Sequence, residues 1–269
     1  MRPPPPGCHA GRMNPAAGTG GGTGGHDPAE YGERIGGRYD EWYGAREDHG
    51  PVVAFLATQA AGRPALELGI GTGRIAVPLA AQGIEVDGID ASPRMVEQLR
   101  TKPAGAGMAV SIGDMADVGA PGGPYGLVYV VFNTFFMLLT QEDQVRCFAN
   151  VAAHLMPAGA FVMEAFVPEP GRFSEGQLVR VDRLDEGMGR FTASLHDRVS
   201  QQIRSRHFVI GTAGVETIPI DMRYAYPAEL DLMARLAGMR LTARWGGWQS
   251  QPFTAASGQH VSVWQLPRG

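Results

Sequence analysis

ALELGIGTGRIAVPLAAQGIEVDGID, residues 65–90, is an apolar run that breaks into glycine at every second position and then returns to an apolar run. The first run is Ala65-Leu66-Glu67-Leu68. The glycines are Gly69, Gly71 and Gly73, and the second run closes on Asp90. A strand, a glycine turn, a helix and a second strand follow from this order, a β-α-β unit. Glycine in the turn lets a ligand approach the backbone, because no Cβ stands in the way. A carboxylate at the tip of the second strand suits the two hydroxyls of a ribose. The unit is built to hold a nucleoside-like cofactor.

The spacing discriminates between cofactors. A dinucleotide fingerprint needs G-x-G-x-x-G/A and an acid about 20 residues on. Counted from Gly69 the third glycine position falls on Arg74, so the pattern fails. Counted from Gly71, Gly71-x-Gly73-x-x-Ala76 fits the relaxed form, with Asp90 only 90 − 76 = 14 residues further on. Glu67 stands two residues before the first glycine. An acid there repels a pyrophosphate and suits the ammonium of an amino acid. S-adenosylmethionine carries an ammonium, a sulfonium and no phosphate, so the charges favour it.

Glu67-Leu68-Gly69-Ile70-Gly71-Thr72-Gly73-Arg74 resembles the first motif of the class I S-adenosylmethionine-dependent methyltransferases. Gly88-Ile89-Asp90-Ala91-Ser92 resembles their second motif, and Gly113-Asp114-Met115 the third. The strand from Tyr125 to Asn133 is similar to the fourth strand and the substrate-facing turn after it. Leu155 to Val162 is similar to the segment leading into the fifth. The Asn133-Thr134-Phe135-Phe136 turn, with residues 231–238, resembles the natural-product N-methyltransferases within that family. The resemblance implies a doubly wound, mostly parallel seven-stranded α/β sheet, Rossmann-like, with S-adenosylmethionine as cofactor. On the cofactor side it implies Glu67 at the ammonium, Gly69 and Gly71 along the backbone, Arg74 at the carboxylate, and Asp90 and Ala91 at the ribose. Asp114 would approach the adenine amine, and Met95, Met115 and Phe132 are expected among the cofactor contacts. Tyr31, Tyr39 and Tyr43 would belong to an N-terminal lid, in which Tyr39-Asp40 matches the family's Tyr-Asp element. On the acceptor side Asn133, Phe136, Glu164 and Tyr226 are expected.

Each assignment has a plainer alternative. Glu67 also suits an acid at a solvated strand end, and Asp90 the cap of the helix that begins at Ser92-Pro93. Arg74 also suits a surface ion pair, Asp114 a turn acid, Asn133 a turn former and Glu164 an edge cap of the core. His196 with Asp197 suits a base or a solvated strand pair. No histidine spacing indicates a metal, and no G-x-S-x-G elbow indicates a hydrolase.

The 269 residues carry a net charge of −4, which does not suggest a nucleic-acid partner. The one lysine, Lys102, is badly placed for a hydride-transfer partner. Two cysteines cannot build a disulfide framework. No apolar run spans a bilayer and no apolar leader is visible, so a cytoplasmic monomer or homodimer is expected.

Half of residues 1–28 are glycine or proline, and a disordered tail is expected there. Aromatics at helical spacing predict an amphipathic lid over 29–48. The cofactor core follows at 49–169. Alternating apolar and charged residues over 170–225 predict an antiparallel β insertion covering the acceptor. Residues 226–269 return a helix and the last core strands. The function expected is methyl transfer to an amine of a small molecule or short peptide of specialised metabolism. An O-methyltransferase, an NAD(P)-dependent oxidoreductase and a non-methylating S-adenosylmethionine binder are the alternatives.

Overall fold

The computed structural model describes residues 27–41, 49–117, 119–212 and 214–267. Helices α1 (Glu30–Ile35) and α2 (Gly50–Ala60) come first. Strand β1 (Ala65–Leu68), helix α3 (Ala76–Ala80) and β2 (Val86–Asp90) form the glycine-turn unit, followed by α4 (Pro93–Arg100) and β3 (Val110–Ile112). Next come β4 (Tyr125–Val130), α5 (Gln141–His154) and β5 (Leu155–Phe166). Four antiparallel strands intervene: β6 (Gln177–Asp185), β7 (Met188–Asp197), β8 (Gln202–Gly211) and β9 (Gly214–Arg223). Helix α6 (Pro227–Leu236) and strands β10 (Arg240–Trp245) and β11 (Gln259–Gln265) complete the chain.

The core sheet runs in the order β10-β11-β5-β4-β1-β2-β3. Only β11 is antiparallel to its neighbours, β5 and β10. Strands β1 and β4 are buried along their whole length, as a central strand covered on both faces must be. One core packs α5 and α6 against the sheet around Phe148, Phe161 and Trp264. The other packs α2, α3 and Leu99 of α4 against the opposite face. Chain order reverses between β1 and β4, and the loops after β1, β2, β3 and β4 gather at that edge. Ligands meet doubly wound sheets there.

Two expectations need correction. The aromatic segment is not one continuous helix: α1 ends at Ile35, and Gly36 and Gly37 break it, since glycine is a poor helix residue. Trp42 and Tyr43, with most of the expected tail, lie outside the described residues. The sequence places a helix over 141–155, stopped by Pro157-Ala158-Gly159, and a strand only from Phe161, and the structure differs. Strand β5 begins at Leu155, and residues 156–159 bulge opposite Gly126, with Ala158 at φ +60°. Among the described residues no helix is long and apolar enough to cross a membrane.

The four-stranded sheet joins the core through a buried arginine. Arg223, at the end of β9, donates to Gln144 Oε1 of α5 (2.6 Å), Gln201 Oε1 (2.9 Å) and Glu229 Oε1 of α6 (2.7 Å). Gln144 returns a bond to the Arg223 carbonyl at 2.7 Å.

Candidate active site

The glycine turn is shaped by positive φ. Gly69 lies at +71° and Gly71 at +55°, conformations that side chains resist. A Cβ on Gly69 would stand 2.5 Å from Thr134 Cγ2, so the turn after β4 packs directly on the turn after β1. A Cβ on Gly71 would meet nothing nearer than 3.9 Å and would occupy cleft space instead.

Asp90 locks the tips of β1 and β2 together. Its Oδ2 accepts from Gly71 N at 2.7 Å and its Oδ1 from Ser92 N at 2.8 Å. Burial raises its pKa and the two N–H bonds oppose the rise. Each oxygen keeps a second lone pair for a further donor. Helix α4 takes its cap from Ser92, whose hydroxyl accepts from Met95 N and donates to Glu33 of α1 at 2.6 Å. That bond fastens α1 over the loop.

A cleft of about 700 Å³, its open mouth included, lies along these loops. Gly69, Gly71, Asp90 and Ala91 form one wall, Met95, Asp114 and Met115 another, and Tyr31 and Tyr39 cover it. Thr134, from the Asn133–Phe136 turn, completes it with Met137 and Leu138, two residues that no motif in the sequence marked. Two carboxylates and no base line it among the described residues, which suits a nucleoside and opposes a pyrophosphate.

A smaller chamber adjoins it, shared by Tyr39, Gly69 and Gly71 and extended by Glu67, Arg74 and Phe132. Glu67 is 2 % exposed. Tyr129 donates to its Oε2 at 3.0 Å. Burial outweighs that bond and the nearby Arg74 charge, and the carboxyl is pushed up to about 8. The Arg74 guanidinium lies 4.4 Å from the Phe132 ring centroid and 6.0 Å from that of Tyr39. Asp40 accepts from Thr72 at 2.6 Å and pairs with Lys102 at 2.7 Å, so the segment after α1 is held to the glycine turn. The sequence marked Asp40 through the lid and missed both partners.

Two further clefts open beyond Phe132. One, of about 980 Å³ with its mouth, lies among Arg74, Phe132, Asn133, Glu164 and Trp248. The other, of about 1220 Å³ with its mouth, lies beneath the four-stranded sheet. They share Asn133, Phe166 and Gly258. Phe132 and Asn133 both hold left-handed backbone, φ +58° and +63°. Two adjacent non-glycine residues in that region are costly and cluster at functional sites. Asn133 Oδ1 accepts from Phe166 N at 2.7 Å. Glu164 accepts from Phe132 N at 2.8 Å and Trp248 Nε1 at 2.9 Å. It is therefore both a brace for the strained turn and a carboxylate on the cleft wall.

Two acceptor-side expectations are not placed at a cleft. Phe136 is wholly buried and packs edge-on against Phe166 at 4.9 Å, a core residue. Tyr226 caps α6 with its ring against Tyr224 and lines none of these clefts. His196 and Asp197 are not a pair. The imidazole Nε2 meets Tyr224 Oη at 3.0 Å, while Asp197 accepts from Val199 N and Ser200 Oγ in its own turn.

The parallel sheet, the glycine turn and a base-free nucleoside cleft define a Rossmann-like transferase that takes an adenosyl sulfonium donor. A family model described as a methyltransferase domain matches residues 65–159. The structure of the CcbJ methyltransferase from Streptomyces caelestis is 36% identical, covers 90% of this chain and 100% of its own, and superposes with a TM-score of 0.84. The cypemycin N-terminal methyltransferase of a Streptomyces species is 29% identical over 242 residues, 88% of this chain and 98% of its own length. The amino pentose methyltransferase CalS10 from Micromonospora echinaspora, solved with S-adenosylmethionine bound, shares the fold at 24% identity and a TM-score of 0.63, covering 85% of this chain and 95% of its own. The chain belongs to the S-adenosylmethionine-dependent methyltransferases, and S-adenosylmethionine is its methyl donor. The oxidoreductase alternative falls with this result.

Proposed function

We propose that the chain methylates an amine nitrogen of a specialised metabolite or short peptide. The observation that carries this reading is the run of neighbouring clefts that share walls: the nucleoside cleft and the Glu67 chamber share Tyr39, Gly69 and Gly71, that chamber and the Glu164 cleft share Arg74 and Phe132, and the Glu164 cleft shares Asn133 with the cleft beneath the four-stranded sheet. The names of the relatives support an amine: one methylates a peptide N-terminus and another an amino pentose.

S-adenosylmethionine supplies an electrophilic methyl group on a sulfonium. The chain has to orient it, exclude water and receive the acceptor with a free lone pair. In this reading Asp90 accepts the ribose hydroxyls, and Asp114 meets the adenine amine between Met95 and Met115. Glu67 meets the ammonium and Arg74 the carboxylate. Tyr31 and Tyr39 cover the nucleoside. Phe132 lies beside the sulfonium, at the opening toward the cleft where Asn133 and Glu164 face the acceptor.

Methyl-labelled donor is to be incubated with an alanyl tripeptide amide, a methyl glycoside of an amino sugar and the hydroxyl analogue of that sugar. Label on an amine supports the reading; label on the hydroxyl analogue alone overturns it. Asp90→Ala should weaken binding of S-adenosylhomocysteine by about 1–3 kcal/mol, because a charge-assisted acceptor is removed and Gly71 N loses its partner. Unchanged affinity by calorimetry would remove the ribose assignment.

A further inference from the structure

The core-facing side of the four-stranded sheet is polar where a purely structural face would be apolar. Thr192 on β7 stands opposite His207 on β8, and Ser194 opposite Ser205. Across β8, Ile218 and Ile220 of β9 show the ordinary apolar pattern. Thr192, Ser194, Ser205 and His207 all line the cleft of about 1220 Å³ with its mouth, which shares Asn133 with the cleft beside Phe132.

The protons of this group are fixed by its geometry. Thr192 Oγ1 donates to Asp182 Oδ2 on β6. Burial raises the Asp182 carboxyl, but the bonds from Thr192 and Arg180 outweigh it and hold the group below its ordinary value, ionised at neutral pH. The hydroxyl proton of Thr192 is therefore committed. At the 3.0 Å contact between Thr192 Oγ1 and His207 Nδ1 the oxygen can only accept, so Nδ1 carries the ring proton. Nδ1 lies 3.9 Å from Asp182 Oδ2, on the anionic side of the ring. The lone pair is left on Nε2.

We infer that His207 Nε2, held in this tautomer by Thr192 and Asp182, is the proton acceptor of the acceptor cleft. The step is a proton transfer. An incoming R–NH3+ gives one proton to Nε2 and becomes R–NH2 with its lone pair free, and the ring becomes an imidazolium whose Nδ1–H stays on Thr192. The imidazolium then returns its proton to water at the cleft mouth. The inference rests on the amine reading above.

The charged groups around the ring fit this role. Burial lowers the His207 pKa; Asp182 opposes that, while Arg180 on β6 and Arg190 on β7 add to it. On β9 the acid Glu216 is paired with Arg38. The ring is neutral at pH 7, with its Nε2 lone pair present, and Asp182 offsets part of the weakening of the base by burial, Arg180 and Arg190.

Two measurements test this on the full chain. Nitrogen-15 NMR of ring-labelled histidine should show His207 as the Nδ1–H tautomer, the reverse of the form that prevails in water. Thr192→Val should release it to the Nε2–H form. An Nε2–H ring in the unaltered chain overturns the inference. His207→Gln should lower kcat/KM for the alanyl tripeptide amide at pH 7 by about 100-fold. The loss should shrink as pH rises above the amine's own pKa of about 8, with S-adenosylhomocysteine affinity unchanged. No loss, or an equal loss at every pH, overturns it. Transfer by the unaltered chain to the hydroxyl probe alone would instead overturn the amine reading, whichever tautomer is found.

Discussion

Glu67→Gln is expected to stabilise the ligand-free chain against urea above pH 8 and to bind S-adenosylhomocysteine about 10- to 100-fold more weakly. Both effects come from one buried carboxyl. Its folded pKa is about 8, against 4.5 when unperturbed. Below 4.5 both folded and unfolded chains hold the proton, and the group costs nothing. As pH rises from 4.5 through 8 the unfolded chain ionises first, and stability is lost until the folded carboxyl ionises too. The loss is on the order of 3–5 kcal/mol. Glutamine does not titrate, so the variant should keep that stability. A urea series at pH 5 and pH 9 measures it, and parallel losses in both proteins would refute the assignment. A ligand ammonium beside Glu67 favours the ionised form, so binding should release a proton near pH 7. Calorimetry in buffers of different ionisation enthalpy reads that proton directly. The weaker binding of the variant follows from losing a bond between two charged groups, about 1.5–3 kcal/mol.

Arg223→Ala should destabilise the chain by about 3–5 kcal/mol. The guanidinium is buried and holds Gln144, Gln201 and Glu229 in one network. Truncation leaves the part-buried Glu229 carboxylate without a counterion, held only by the Gln141 and Gln201 amides, and that costs more than the pair contributed when intact. Arg223→Met with Glu229→Gln should recover most of the loss, since no unpaired charge remains. The network lies away from the nucleoside cleft, so S-adenosylhomocysteine affinity should hold while turnover of the amine probes falls. Its neighbours Met222 and Tyr224 line the cleft beneath the four-stranded sheet, the one proposed to receive the acceptor. A variant that melts with the parent would show that the sheet is anchored elsewhere.

The sequence exposed the parts of the fold that repeat with a period. Helix α6 (Pro227–Leu236) falls in the 226–269 segment where a helix was expected, with Pro227 opening it and Gly238 just past its end. The glycine turn and the alternating strands were equally plain. What stayed hidden depends on contacts between distant residues. Glu67 reads as an acid at a strand end, and only Tyr129, 62 residues on, reveals that it is sealed in. The Phe132–Asn133 turn contains no glycine to advertise its left-handed backbone. Phe136 was placed with the acceptor because it follows that turn, but the 3₁₀ turn over Thr134–Met137 rotates it into the core. The polar floor did carry a signal: Thr192 with Ser194 and Ser205 with His207 repeat at the strand period of two, which marks one face of a sheet.

The four-stranded sheet is a single excursion between the end of β5 and the start of α6, while the donor-side turns all precede it. The excursion is nonetheless tied back to the donor side, since Ile218 of β9 packs with Ile35 and Met95 and Glu216 pairs with Arg38, so any redrawing of residues 177–223 has to keep the β9 face on which α1 rests.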